Sequence, residues 1–243
     1  MATPAELVAA KGACTIAVCI PARNEAGTVA AIVASVRRLS HVGLVDEIVV
    51  VDDGSSDATA SRASAAGATV LPSVTGPGKG QAMSAAVAAT DSDVVVFLDA
   101  DVANFSERFV TALVAPILSF PEVQLVKASY RRPLYGQPGE GGRVTELVAR
   151  PLLERFFPEL AQLGQPLAGE CAVRRSALAG LTLDDGYGVD IGLLIDVYRQ
   201  WGMEAITEVD LVERIHRNRP LADLRRQATA VLDAVLVRAT DPR

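Results

Sequence analysis

Apolar residues in the first half of the chain fall into short unbroken runs that alternate with longer stretches of helical spacing. The runs at 15–20, 47–51 and 94–98 are too short for helices and lack polar alternation. They predict strands buried on both faces. Pro21 is expected to end the first. A shorter strand is expected at 69–71. Between these runs, Val29, Ile32, Val33, Val36 and Leu39 mark one face of a helix over 28–39. A second helix is expected at 58–66, capped by Ser56 or Asp57, and a third, Ala-rich, at 80–89 behind Lys79. Strand and helix thus alternate as in a parallel, doubly wound nucleotide-binding half.

The second half is less regular. Helical spacing returns at 106–118, 143–156, 189–200 and 221–238, and strands are expected at 123–130 and 204–214. Residues 131–142, rich in Gly, Pro and Arg, predict a mobile loop, and 166–173 a short strand or turn. No internal repeat or long linker divides the chain. The expectation is one domain over 1–243, with halves at 14–104 and 105–243. Residues 1–13 read as a loose leader.

Half of the 243 residues are hydrophobic, ample for a core and incompatible with global disorder. No apolar run approaches the ~20 residues of a membrane span, and the N-terminus lacks a signal peptide's basic-then-apolar layout. A cytoplasmic protein with no membrane partner is expected. The net charge of −6 argues against a nucleic-acid partner. Cys14, Cys19 and Cys171 have no metal-like spacing, and Cys14 and Cys19, in an apolar strand, are expected to be buried thiols.

Candidate chemistry gathers where strands end. Asp99 and Asp101, at i and i+2, lie on one side of an extended chain and could hold a hard divalent cation that in turn holds a diphosphate. An acidic loop or a helix cap would read the same way. Gly76-Pro77-Gly78-Lys79-Gly80 suggests an anion-binding helix start whose glycines let a ligand approach. It is not a P-loop, because Ser73 stands at the first glycine position and Gly80 where Ser or Thr is needed. The dinucleotide motif is absent after the first strand. Asp52-Asp53-Gly54-Ser55 could receive a base N–H or a ribose hydroxyl, or be a turn and cap. His41 is expected to be inert. His216, in a basic loop, could be a third metal ligand.

In combination, Pro21-Ala22-Arg23-Asn24-Glu25, Asp52-Asp53-Gly54-Ser55, Gly78-Lys79-Gly80 and Asp99-Ala100-Asp101, each following a strand, resemble GT-A glycosyltransferases. Leu125–Arg132, Gly141–Leu147, Pro166–Glu170, Gly186–Gly192 and His216–Pro220 narrow the resemblance to the glucosyl-3-phosphoglycerate synthases, over about residues 15–225. The resemblance implies an α/β GT-A fold: a Rossmann-like nucleotide-binding half with a mainly parallel mixed sheet, plus an acceptor-binding lobe. It implies glucose transfer from UDP-glucose to the 2-hydroxyl of 3-phosphoglycerate, with retention and with Mg²⁺ (or Mn²⁺) as cofactor.

By motif match, Pro21, Ala22, Arg23, Glu25, Asp53, Lys79, Asp99 and Ala100 would line the nucleotide-sugar site. Asp101 and His216 would bind the metal, with Asp99 beside them. Gly142, Arg143, Thr145 and Asn218 would take the acceptor, and Asp190, Arg143 and Lys79 would serve catalysis. A homodimer is also implied, though the chain is shorter at both ends than the family pattern. Asp190 stands where glutamate is expected, and its carboxylate reaches about 1.5 Å less far. Alternatives are another nucleotide sugar such as GDP-mannose, another small anionic acceptor, or an inactive nucleotide-sugar binder. A nucleotidyltransferase would want a glycine-rich first loop, which Arg23-Asn24-Glu25 does not supply.

Overall fold

A computed structural model describes residues 2–72, 78–131, 142–215 and 221–240. The elements in chain order are α1 (Pro4–Lys11), β1 (Ile16–Ala22), α2 (Val29–His41), β2 (Glu47–Asp52), α3 (Thr59–Ala66), β3 (Thr69–Pro72), α4 (Lys79–Ala88), β4 (Val94–Phe97), α5 (Arg108–Ser119) and β5 (Leu125–Arg131). A π-helical turn (Thr145–Ala149) then leads into α6 (Arg150–Phe156). It is followed by β6 (Cys171–Arg174), α7 (Arg175–Leu178), α8 (Val189–Trp201), β7 (Ile206–Glu213) and α9 (Leu221–Thr240). Among the described residues, seven strands form one sheet in the order β3-β2-β1-β4-β6-β5-β7. Only β6 runs against its neighbours β4 and β5. No helix among them is long and apolar enough to cross a membrane.

The apolar runs are strands because both faces of the sheet are covered. Ile16, Val18 and Ile20 point into a core shared with α2 and α5, while Ala17 and Cys19 point into one shared with α4 and α8. This alternation between two buried faces removes the polar period that an exposed face would impose. Strand order reverses between β1 and β4, and the crevice outside the carboxyl ends there is where ligands bind in such sheets. Because Phe97 pairs with Cys171 across the antiparallel β4–β6 ladder, the segment entering β6 also arrives at that crevice.

Several expectations are corrected. The described part of the expected loose leader, residues 2–13, is built around α1, a capped helix. The Thr3 hydroxyl accepts from the Glu6 amide at 3.3 Å, and the Glu6 carboxylate accepts from the Thr3 amide at 2.7 Å. Leu7 is buried, and Lys11 donates to Asp46 at 2.8 Å. Pro21 does not end β1. The amides of Asp46 and Asp53 donate to the carbonyls of Ile16 and Ala22, so even-numbered residues of β1 bond β2 and odd-numbered ones face β4. Pairing with β4 stops at Cys19, so Pro21 costs no ladder bond. Cys19 is buried in β1, but Cys14 lies outside the strand and is half-buried.

Candidate active site

Three carboxyl-end segments are knitted together before any ligand is considered. Asn24, at a left-handed φ of 56°, accepts from the Ser56 amide at 2.8 Å, and its own amide donates to the Ser55 hydroxyl at 3.0 Å. The Thr28 hydroxyl donates to the Ala100 carbonyl at 2.5 Å. The end of β1, with Pro21 and Ala22, and the loop after it, with Arg23 and Glu25, are thereby tied both to the Asp53 loop and to the Asp99–Asp101 segment. Asp53 is buried. Its carboxylate accepts from the Gly78 amide at 3.0 and 3.1 Å and lies 3.7 Å from Arg23. A carboxylate has about four lone-pair sites, so Asp53 keeps capacity for a base N–H.

Asp99 and Asp101 converge, but not because they share a strand face. β4 stops at Phe97, and the two residues lie in the turn that follows. One guanidinium nitrogen gathers them: Arg214 Nη2 donates to Asp99 Oδ2 at 2.8 Å and to Asp101 Oδ1 at 2.6 Å. Arg214 is aimed there by a bulge. Between Ser129 and Arg131, β5 advances two residues while β7 advances three, and Val212 takes a φ of 71°. Behind Arg214, Nε lies 2.8 Å from Oε1 of fully buried Glu170, whose other oxygen accepts from Tyr130 at 2.8 Å. Burial favours the uncharged guanidine, but Glu170, Asp99 and Asp101 outweigh it and hold Arg214 well above its usual pKa.

Lys79, the first residue of α4, lies 2.7 Å from Asp190 Oδ2 and 3.0 Å from Asp99 Oδ1. Burial disfavours its charge. The carboxylates of Asp190 and Asp99 more than offset this and raise its pKa. Asp190, in the first turn of α8, is buried, and its Oδ1 has no hydrogen-bond partner among the described residues. Gly169 completes the wall: a Cβ there would stand 2.4 Å from both Lys79 Nζ and Asp99 Oδ1. Its neighbour Ala168 accepts from buried Lys127 at 2.5 Å. The glycines beside Lys79 serve packing rather than ligand approach. A Cβ at Gly80 would meet the Asp184 carbonyl oxygen at 1.6 Å, and one at Gly78 the Asp185 carbonyl oxygen at 2.4 Å.

Four carboxylates (Asp99, Asp101, Glu170, Asp190) therefore stand against Lys79 and Arg214, with buried Lys127 behind them on the Ala168 carbonyl. The hard oxygen donors of Asp99 and Asp101 fit a divalent cation. Among the described residues no three His, Cys, Asp or Glu side chains close on one point. The expected third ligand, His216, and the acceptor residue Asn218 lie outside the described residues. Gly142, Arg143 and Thr145 stand together at the head of the π-helical turn, with Gly142 at a φ of 84°. The Thr145 hydroxyl is buried with no partner among the described residues, which suits a ligand oxygen. Burial pushes the Cys19 thiol up to about 12 and the Cys171 thiol up to about 11, so neither is a nucleophile. His41 ends α2, exposed. Sequence reasoning assigned no role to Arg214, Glu170 or Gly169. Gly169 and Glu170 lay in a quoted motif and Arg214 ended an expected strand, but only tertiary contact makes a buried charge or a forced glycine visible.

A switch-point crevice with paired carboxylates and a lysine held by two of them suits a nucleotide's diphosphate and a divalent ion. Residues 17–178 match Glycosyl transferase family 2, and the chain belongs to that family. Within it, the chain belongs with the glucosyl-3-phosphoglycerate synthases. The Mycobacterium tuberculosis synthase is 46% identical over 99% of this chain and 78% of that relative, and the Petrotoga mobilis synthase is 42% identical over 92% and 73%. The crystal structure of the M. tuberculosis synthase with Mn²⁺, UDP-glucose and phosphoglyceric acid superposes with a TM-score of 0.92 at 44% identity, covering 100% of this chain and 85% of that one. A further structure of that synthase holds Mn²⁺, UDP and glucosyl-3-phosphoglycerate.

Proposed function

We propose that this protein transfers glucose from UDP-glucose to the 2-hydroxyl of 3-phosphoglycerate with retention, using Mg²⁺ or Mn²⁺. The observation that carries the reading is the Lys79–Asp99–Asp190 ion-pair triangle at the sheet's switch point, in a chain of this identity to the synthases. Breaking the sugar–phosphate bond leaves charge on the diphosphate, and a divalent ion bound by Asp99, Asp101 and His216 would neutralise part of it. Lys79, held cationic by two carboxylates, faces the same oxygens. It cannot give up its proton near neutrality, so it acts by charge and not as an acid. The partnerless Oδ1 of Asp190 accepts from a donor-sugar hydroxyl, which orients the ring. Asp53 and Arg23 receive the base. Gly142, Arg143, Thr145 and Asn218 receive the acceptor, and the planar fork of Arg143 suits its phosphate or carboxylate. We assign retention to attack on the face that the diphosphate leaves, the departing phosphate taking the acceptor proton; a covalent glycosyl adduct on Asp190 would overturn that assignment.

In this reading residues 14–104 form the donor half and residues 105–243 the acceptor half of one domain. A cytoplasmic setting agrees with three free cysteines, and the acidic balance leaves nucleic acid out. Leu232, Leu236 and Val237, exposed on α9, offer an apolar face for a homodimer. The test is a panel of nucleotide sugars with Mg²⁺, with and without 3-phosphoglycerate, scored by nucleotide release and the anomeric configuration of the product. Release that ignores 3-phosphoglycerate would overturn the acceptor. A faster reaction with GDP-mannose would overturn the donor, and an inverted product the same-face attack.

A further inference from the structure

The last helix reaches the donor site through one ion pair. Gly188, the residue that caps α8, and Gly192 and Asp196 within it recur every four residues and so share a face. On α9, Ala230, Ala234 and Arg238 do the same. These faces meet closely: a Cβ at Gly188 would stand 2.8 Å from the Ala230 carbonyl oxygen. At the end of the seam, Arg238 donates through Nε and Nη2 to both oxygens of Asp196, at 2.8 and 2.6 Å. Its Nη1 donates to Asp184 Oδ1 at 3.2 Å, with Nη2 at 2.9 Å from Oδ2. Gly192 makes room for this pair, since a Cβ there would lie 2.0 Å from Asp184 Oδ2 and 2.7 Å from Arg238 Nη2. The backbone behind Asp184 is seated on the first turn of α4. The Asp185 carbonyl accepts from the Gln81 amide at 3.1 Å, and the Asp184 carbonyl fills the space that a side chain at Gly80 would need. That turn begins with Lys79, whose partner Asp190 rides on α8.

We propose that Arg238 is a positioning residue for the donor site: through Asp184 it pins residues 184–185 to the first turn of α4, and so fixes where Lys79 meets Asp190 and Asp99. Its kinetic arm rests on the glucosyl transfer proposed above, whereas its structural arm does not. The experiment measures amide hydrogen exchange at residues 79–82 in the full chain, beside thermal melts and steady-state kinetics, for Arg238→Gln, Asp184→Asn and Asp196→Asn. Arg238→Gln and Asp184→Asn are expected to speed exchange at Gln81 at least tenfold. They should lower kcat ten- to a hundredfold, with the acceptor KM within threefold. Asp196→Asn breaks the fork to α8 but leaves Asp184 paired. It is expected to lower the melting temperature by a few degrees, with exchange at 79–82 and kcat within twofold of the parent. If Arg238→Gln does not fold, Asp184→Asn, which keeps the Arg238–Asp196 fork, decides alone. Unchanged exchange in Asp184→Asn, or equal loosening in Asp196→Asn, overturns the inference. A parent that exchanges as described but turns over no UDP-glucose overturns the function and not the brace.

Discussion

Asp190 meets Lys79 with one oxygen and keeps the other buried with no partner among the described residues. A buried acceptor without a donor costs about 1–3 kcal/mol, and a ligand hydroxyl removes that cost. Asp190→Ala should therefore lower kcat by about 10²–10³, the scale seen when one preorganised polar contact is lost, with the acceptor KM within about threefold. Asp190→Glu extends the carboxylate by about 1.5 Å but keeps its charge beside Lys79. Its kcat/KM for UDP-glucose should stay within about tenfold of the parent, since the added rotatable bond lets the longer side chain fold back onto Lys79 in a staggered rotamer. Initial rates across both substrates check the pair. Gly169 poses a different case. The atoms that a Cβ would strike there are the tips of Lys79 and Asp99, which can move aside. Gly169→Ala should fold with a melting temperature within a few degrees of the parent yet lose about a hundredfold in kcat, as a displacement near 1 Å does. A large fall in stability with kcat retained would mean that the backbone, not the charged tips, yields.

Among the elements, contrast comes from Gly80, where the obstruction is the Asp184 backbone carbonyl. Backbone cannot rotate away, so Gly80→Ala should destabilise by about 1–3 kcal/mol, the usual cost of overpacking. Urea denaturation would read this as a lower midpoint at unchanged slope. The same distinction explains what could be read in advance. β1, β2, β4 and α2 were legible because burial on both faces, or on one helical face, writes itself as a run or a period. α1 was not, because its Ala-rich span has no stripe. Its signal was the Thr3-x-x-Glu6 box with Pro4 between, visible only to a search for caps. The convergence of Asp99 and Asp101 was expected for a reason that fails, the shared face of a strand, and arises instead from Arg214. The β7 bulge that delivers Arg214 depends on pairing register, which no local pattern encodes. Glu170 and Lys127 are charged residues fully or almost fully buried, and no single sequence marks a charge as buried.

Across the whole molecule, carboxylates from the exit of β4, the entry of β6 and the start of α8 meet around Lys79 and Arg214, so folding and ligand binding are electrostatically linked. The antiparallel entry of β6 brings Glu170 in behind Arg214, a consequence of sheet order that local patterns do not reveal. Arg214 bridges Asp99 and Asp101 through one nitrogen. Binding of a divalent ion to the folded state alone stabilises it by RT ln(1 + [L]/Kd), about 2.7 kcal/mol at a hundredfold excess over Kd. Mg²⁺ or Mn²⁺ should therefore raise the melting temperature of the intact chain, and a chelator should reverse the rise. Asp101→Ala should abolish it while leaving the metal-free melt within a few degrees. The pH dependence has a definite sign. The folded pKa of Lys79 is raised by Asp190 and Asp99. Its contribution is thus fully present below the unfolded lysine value of about 10.4 and is lost only as pH climbs through the still higher folded value. Between pH 6 and 10, kcat should show no alkaline fall from this lysine, and the metal-induced increment should not shrink through it. A fall in that window that persists in Lys79→Arg would belong to another group. One that disappears in Lys79→Arg would show that the lysine is far less tightly paired than the 2.7 and 3.0 Å contacts require.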